Sequence, residues 1–303
     1  MGYGHGVART RKLYAVLTRR GPHRVLRGDL AFAGSPGVVY TPESGFNLPG
    51  VAFGHDWLTD VGHYTGTLAH LASWGIVAAA PDTERGLAPS VLSLAFDLGT
   101  TLDIITGVRL GAGKISVHPS KLGLAGHGFG GSAAVFAAAG MAGAGKMRPK
   151  AVAALFPAVT KPPAQQPAAT LKVPGLVVSA PDDPQSLRTD ALDLAQAWDG
   201  AVVRVVSKAK GSGLAEKRHL SRVLGLPGSD RRTQKTVRAL LTGYLLYQLT
   251  GDKTYKEFAE PDATLPKTEQ PDPEAPPVSS EDRIAALLSV PRPRRPWYLP
   301  SRV

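Results

Sequence analysis

The chain has 303 residues, a formal net charge of +11 and no cysteine. That length supports one large α/β domain or two modest ones without cross-links. The missing cysteine excludes disulfides, thiol catalysis and cysteine-based zinc sites, while the positive charge permits attraction to anionic surfaces without establishing it.

Residues 1–28 carry seven Arg or Lys and no acid, and read as a basic N-terminal segment. Its apolar run, Leu13-Tyr14-Ala15-Val16-Leu17, is too short for a signal-peptide core. No stretch approaches the roughly 20 apolar residues that span a membrane. The expected location is therefore cytoplasmic, with the basic ends able to hold the protein at a membrane periphery.

Strand-like runs follow at 37–40, 50–53, 76–80, 122–125, 151–155, 175–178 and 201–206. They are short, apolar and punctuated by Gly or Pro, as strands buried on both faces of a mainly parallel sheet are. Helical patterns fall between or after them, at about 62–74, 89–108, 130–141, 186–198 and 232–249. This alternation predicts an α/β fold with helices on both faces, in a domain spanning 29–260. From Pro261 the chain turns Pro-rich and loses periodicity, apart from a short helical island at Ser280–Leu288. Residues 261–303 read as a mostly disordered tail, acidic first and basic at Arg292-Pro293-Arg294-Arg295-Pro296-Trp297-Tyr298. The basic ends predict contact with an acidic protein or an anionic membrane surface. No helix-turn-helix, RNA-binding-sheet or zinc-finger signature is present, so nucleic acid is not the expected partner.

One short stretch carries chemistry. Leu122-Gly123-Leu124-Ala125 leads into Gly126-His127-Gly128-Phe129-Gly130-Gly131 and then an Ala-rich helix. Gly126, Gly128 and Gly131 spell G-x-G-x-x-G, and a strand-loop-helix of this kind presents backbone N–H groups to phosphate. The acid expected about 20 residues later, to hold a ribose, is absent, since that region reads Lys146-Met147-Arg148-Pro149-Lys150. Nor is a phosphate loop complete at Gly140 to Lys146, where Met147 follows in place of Ser or Thr, or at Gly113-Lys114, which lacks the upstream glycine. The alternative is a nucleophile elbow, in which small residues allow strand and helix to meet at a sharp turn. An elbow needs an oxyanion hole made from the N–H after the nucleophile and one from an earlier loop. Phe129 and the loop Gly54-His55-Asp56-Trp57 stand in the right order for that.

The elbow segment, Val51-Ala52-Phe53-Gly54-His55-Asp56-Trp57, the run Ala69–Val77 followed by Ala80-Pro81-Asp82-Thr83, and Val173–Val178 together resemble an α/β-hydrolase of the dienelactone hydrolase, chlorophyllase and polyester-hydrolase (cutinase-like) group. The resemblance covers about 35–258. It implies an α/β-hydrolase fold and an ester or lactone substrate. It also implies an oxyanion hole from the backbone at Asp56, Trp57 and Phe129, and an acid at Asp183 or its neighbour Asp182. The family's nucleophile, however, aligns with Gly128, which has no side chain to attack a carbonyl. The family's histidine falls near Gly213 or Leu214; His219 is the nearest candidate. Ser132, one helical turn past Gly128, is the alternative nucleophile. Under the same resemblance His127 and His55 are supporting residues, and Asp56 replaces a glycine. A carboxylate there, if it points inward, would repel a developing oxyanion.

The expected function is a catalytically degenerate hydrolase relative that binds a small ester-like or hydrophobic ligand, or a partner. An active ester or lactone hydrolase with a non-standard nucleophile is one alternative. A nucleotide-binding oxidoreductase using the glycine turn is another. No cofactor or metal motif is read, because the eight histidines lack close ligand spacing such as H-E-x-x-H.

Overall fold

A computed structural model describes residues 3–143, 148–216 and 228–269. The strands are β1 (Val25–Asp29), β2 (Gly37–Pro42), β3 (Gly45–Gly54), β4 (Val77–Pro81), β5 (Ile115–His127), β6 (Ala151–Leu155), β7 (Gly175–Ser179), β8 (Ala201–Val206) and β9 (Thr268–Glu269). The helices are α1 (Tyr3–Leu17), α2 (Thr65–Ser73), α3 (Val91–Gly107), α4 (Phe129–Gly143), α5 (Gln165–Ala168), α6 (Ala191–Ala197) and α7 (Arg231–Thr250). All nine strands form one sheet in the order β1-β2-β4-β3-β5-β6-β7-β8-β9. β3 to β8 run parallel to their neighbours within that set, whereas β1 and β2 at one edge and β9 at the other pair antiparallel. This is an α/β fold, and its strand order is consistent with an α/β-hydrolase-like topology.

Helices cover both faces. α1, α2 and α7 bury Leu17, Leu68, Leu71, Leu240 and Tyr244 against one side. α3, α4 and α6 bury Leu98, Leu102, Ala134 and Leu194 against the other. The central strands therefore read as unbroken apolar runs, and Val77–Pro81 is buried throughout. Gly54 pairs with Gly126 at the carboxyl ends of β3 and β5. That register sets the loops after these two strands side by side, where open α/β sheets place their sites.

Several elements depart from the sequence reading. The helix expected over 186–198 forms only at Ala191–Ala197. Ser186 Oγ accepts from Arg188 N–H and Thr189 N–H, both at 3.1 Å, a local turn that competes with helix there. Elements are also described on either side of residues 29–260. β1 ends at Asp29, and α1 docks on α7 with Tyr14 and Leu17 buried and the Tyr14 hydroxyl 3.1 Å from Thr236 Oγ1. At the other end Leu265 is buried and β9 pairs with β8. Arg204, buried under this return, donates to the carbonyls of Pro261 (2.8 Å) and Glu260. The island at Ser280–Leu288 and the basic terminus lie outside the described residues. Among those described, no helix is long and apolar enough to cross a membrane.

The α2 layer carries a pH-sensitive group. His70 is 3% exposed, and its Nε2 has no hydrogen-bond partner among the described residues. Burial pushes the imidazole down to about 4; Arg238 and Arg20 add repulsion, and a hydrogen bond to the Leu17 backbone opposes them. The unfolded chain binds this proton near pH 6.5. Stability from this group is therefore full above pH 6.5 and falls as the pH drops toward 4, by about 3 kcal/mol in all. Urea titrations at pH 7 and pH 4.5 should show most of that loss, and His70→Gln should largely abolish it. An unchanged pH slope in the variant contradicts the assignment.

Candidate functional site

The chain leaves β5 at His127, turns at Gly128 and enters α4 at Phe129. Gly128 has φ +54°, the left-handed region that a side chain disfavours. The turn is anchored by Gly128 N–H donating to the Leu155 carbonyl at 2.9 Å. In return the Gly128 carbonyl accepts from Gly131 (3.0 Å), Ser132 (3.2 Å) and Ala158 (3.0 Å). The helix starts so close to the sheet that a Cβ on Gly126 would lie within 3.0 Å of the Gly130 carbonyl. One on Gly130 would lie within 3.0 Å of Gly54. The glycines are thus required by backbone crossing.

The loop after β3 supplies the dominant feature. Asp56 turns its carboxylate over Gly128, and Oδ1 accepts from Trp57 N–H at 2.8 Å and from Phe129 N–H at 3.1 Å. A Cβ built on Gly128 would meet this same Oδ1 well inside van der Waals contact. The carboxylate therefore fills the space where a residue with a side chain at 128 would place it.

The loop is braced from behind. Asp56 N–H donates to the Tyr64 hydroxyl at 3.1 Å, which lies 2.7 Å from His127 Nδ1. His127 Nε2 is 2.8 Å from the Gly211 carbonyl. A carbonyl only accepts, so Nε2 carries the hydrogen and Nδ1 receives the Tyr64 proton. The ring is 1% exposed and sits edge-on to Tyr64 and Phe156. His55, equally buried, spans the Asp56 carbonyl (2.9 Å from Nδ1) and the Thr83 carbonyl (2.6 Å from Nε2), tying this loop to the one after β4. Tyr64→Phe should remove the hydroxyl shared by Asp56 and His127 and lower stability by about 1–3 kcal/mol, read as a urea midpoint shift at constant m. A change below about 0.5 kcal/mol would mean water replaces the hydroxyl at little cost.

The remaining candidates are elsewhere or committed. Ser132 is fully buried and donates its hydroxyl to the Ala158 carbonyl at 2.6 Å. Asp183 is 2% exposed, and its two carboxylate oxygens accept from Ala191 N–H (3.3 Å) and Leu192 N–H (3.2 Å) at the start of α6. Asp182 beside it is exposed. Gly213 and Leu214 are buried in a 3₁₀ turn, Gly211–Leu214, whose carbonyl at Gly211 meets His127. His219 lies outside the described residues, as do Gly145, Lys146 and Met147. Among the described residues, no cluster of three or more His, Asp or Glu is placed to hold a metal ion.

Sequence reasoning did not single out Tyr64. It lies in the polar stretch Gly62-His63-Tyr64-Thr65, 63 positions before His127, and no spacing rule links the two. Nor did it mark the apolar rim, where Trp57 (45% exposed) donates its indole N–H to the carbonyl of Leu87 (82% exposed) at 3.2 Å. No family model matches the chain, and no curated protein matches it significantly.

Proposed function

We propose that this protein is a non-hydrolytic member of the α/β-hydrolase-like folds that works by binding, with an elbow that holds its own carboxylate in place of a substrate oxyanion. One observation carries the reading: Trp57 N–H and Phe129 N–H, ordered along the chain as an oxyanion hole would be, both end on Asp56 Oδ1 above a glycine. An oxyanion hole accelerates acyl transfer because its donors wait for charge that develops only in the transition state. Donors already bound to a fixed anion have none to offer, and a second negative oxygen beside Asp56 is repelled. Gly128 supplies no nucleophile. Ser132 cannot replace it without breaking its bond to Ala158 and leaving the core. A dinucleotide pyrophosphate would meet the same carboxylate, so the geometry favours neither alternative. The exposed Trp57 and Leu87 beside the closed elbow give a ligand or partner apolar surface to contact.

The test is intact mass after a fluorophosphonate probe, beside turnover of a p-nitrophenyl ester. The expected result is no adduct and no turnover above the buffer rate. Stoichiometric labelling of Ser132, or of any serine at the elbow, overturns the proposal.

A further inference from the structure

α1 turns an unpartnered basic face to solvent. Its buried side chains Thr10, Tyr14 and Leu17 are spaced by four and three residues and so form one stripe, which meets α7 where Tyr14 bonds Thr236. Lys12, Val16 and Arg19 repeat that spacing two residues later, roughly 200° round the helix, and so lie on the opposite side. The chain keeps winding that far, since Arg19 N–H donates to the Val16 carbonyl at 3.0 Å. Arg9 and Arg11 flank this outer stripe, and Arg20 follows it. All five of these cations are exposed, and Ala15 and Val16 (51% exposed) lie exposed among them.

Internal pairing does not account for this charge. Arg9, Arg11, Lys12, Arg19 and Arg20 have no ion-pair partner among the described residues. The carboxylates around α1 and α7 are committed: Glu257 accepts from the Thr10 hydroxyl, Glu216 pairs with Arg238 at 2.6 Å, and Asp230 caps α7 through the N–H groups of Arg232 and Thr233. Burial raises the Tyr14 phenol, while its bond to Thr236 and the charge of Arg232 oppose the rise, so this cation of α7 lies beside α1. Helix stability does not explain it either. Arg231 and Arg232 open α7, whose first turn holds no acid, at the end of the dipole that favours carboxylates.

We propose that the outer face of α1 docks the protein on the anionic headgroups of a lipid bilayer. A planar array of anions receives a convex basic helix as it stands, whereas a folded acidic partner has to supply a groove for it. Arginine and lysine stems keep their charge at the headgroups, and Val16 between them reaches the aliphatic boundary. A nucleic acid offers Val16 no such boundary, and the outer stripe carries no amide or aromatic side chain to read or stack on bases. The proposal does not rest on the reading of the elbow, and its failure would leave that reading intact.

Sedimentation of the full chain with vesicles tests it. Vesicles of equal parts phosphatidylglycerol and phosphatidylcholine should carry the protein down, and vesicles of phosphatidylcholine alone should not. Raising the salt from about 0.1 M to about 1 M should release it, because the screening length falls from about 10 Å to about 3 Å. Each cation at an anionic surface is worth about fivefold, so Arg9→Gln/Lys12→Gln/Arg19→Gln should weaken binding at least about thirtyfold with the urea midpoint little changed. Val16→Ser should weaken vesicle binding about threefold and leave heparin binding unchanged. Arg292→Gln/Arg294→Gln/Arg295→Gln, in the other basic segment, should change vesicle binding by less than about twofold. No sedimentation with the anionic vesicles, undiminished binding by the α1 triple variant, loss in the C-terminal variant instead, no effect of Val16→Ser, or a DNA duplex held more tightly than the vesicles at the same salt would each overturn the proposal.

Discussion

Gly128→Ser should destabilise the protein by about 3 kcal/mol and confer no hydrolysis. Two costs add. The φ of +54° is one that an L-residue adopts at about 1–2 kcal/mol, and the new Cβ meets Asp56 Oδ1. Relieving that clash drives the carboxylate off Trp57 N–H and Phe129 N–H. Asp56→Gly alone removes the acceptor of those two donors and should cost about 1–2 kcal/mol, since Trp57 is half-exposed and water can replace part of the loss. Combined, the two changes should cost less than their sum by about 1–3 kcal/mol, because removing the carboxylate makes room for the serine. A double-mutant cycle by urea denaturation measures this coupling. Additivity within about 0.5 kcal/mol would mean that Asp56 and position 128 do not compete for one space. Asp56→Gly also frees two converging N–H groups. Acetate should then raise the melting temperature of that variant and leave the unmodified protein unchanged, as a ligand specific to the folded state does. Even the double variant should not turn over esters, because His127, next to the turn, is already engaged by the Tyr64 hydroxyl and the Gly211 carbonyl.

The parallel core of this fold was legible because its central strands, β4, β6 and β7, bury both faces. β6 and β8 coincide with the apolar runs at 151–155 and 201–206, and α7 lies within one residue of its pattern at each end. β1 was not legible. Val25-Leu26-Arg27-Gly28-Asp29 is an edge strand with three exposed residues, and an exposed edge imposes no apolar pattern. α1 is hidden within what reads as a basic N-terminal segment for a related reason. Among its described side chains the buried ones, Thr10, Tyr14 and Leu17, form a stripe too narrow to stand out among seven basic residues in the first 28. At the site, the glycines and the identity of the two converging N–H donors were readable from the order Asp56-Trp57 and Phe129. The direction of the Asp56 side chain was not. A carboxylate at that position can point to solvent or to the turn, and only the crossing of β3 over α4 decides it. The bond from His127 to Gly211 joins residues 84 positions apart and follows from tertiary packing alone.

Gly130→Ala tests whether backbone crossing or helix propensity governs this turn. Propensity alone favours alanine over glycine inside a helix by about 1 kcal/mol. Gly130 belongs to α4, so a purely local argument predicts a more stable protein. The crossing argument predicts the reverse. A Cβ on Gly130 would lie within 3.0 Å of the Gly54 carbonyl carbon and oxygen and of the His55 carbonyl oxygen. These are main-chain atoms at the end of a central strand, paired with Gly126 across the register, and they have no rotamer into which to retreat. Separating α4 from β3 would also pull Phe129 N–H from Asp56 and disturb Ser132 against Ala158. The expected loss is therefore at least about 3 kcal/mol, at the upper end of overpacking costs. Gly140→Ala supplies the control on the same helix. It is exposed, and a Cβ there meets nothing within 4 Å among the described residues, so propensity acts alone and stability should rise by about 0.5–1 kcal/mol. Opposite signs for the two substitutions, measured by urea denaturation, would establish that the glycines of the elbow are set by the approach of α4 to β3. Two gains of similar size would mean that the helix start can lift from the sheet at little cost, and the closed geometry over Gly128 would then be one of several that the turn adopts.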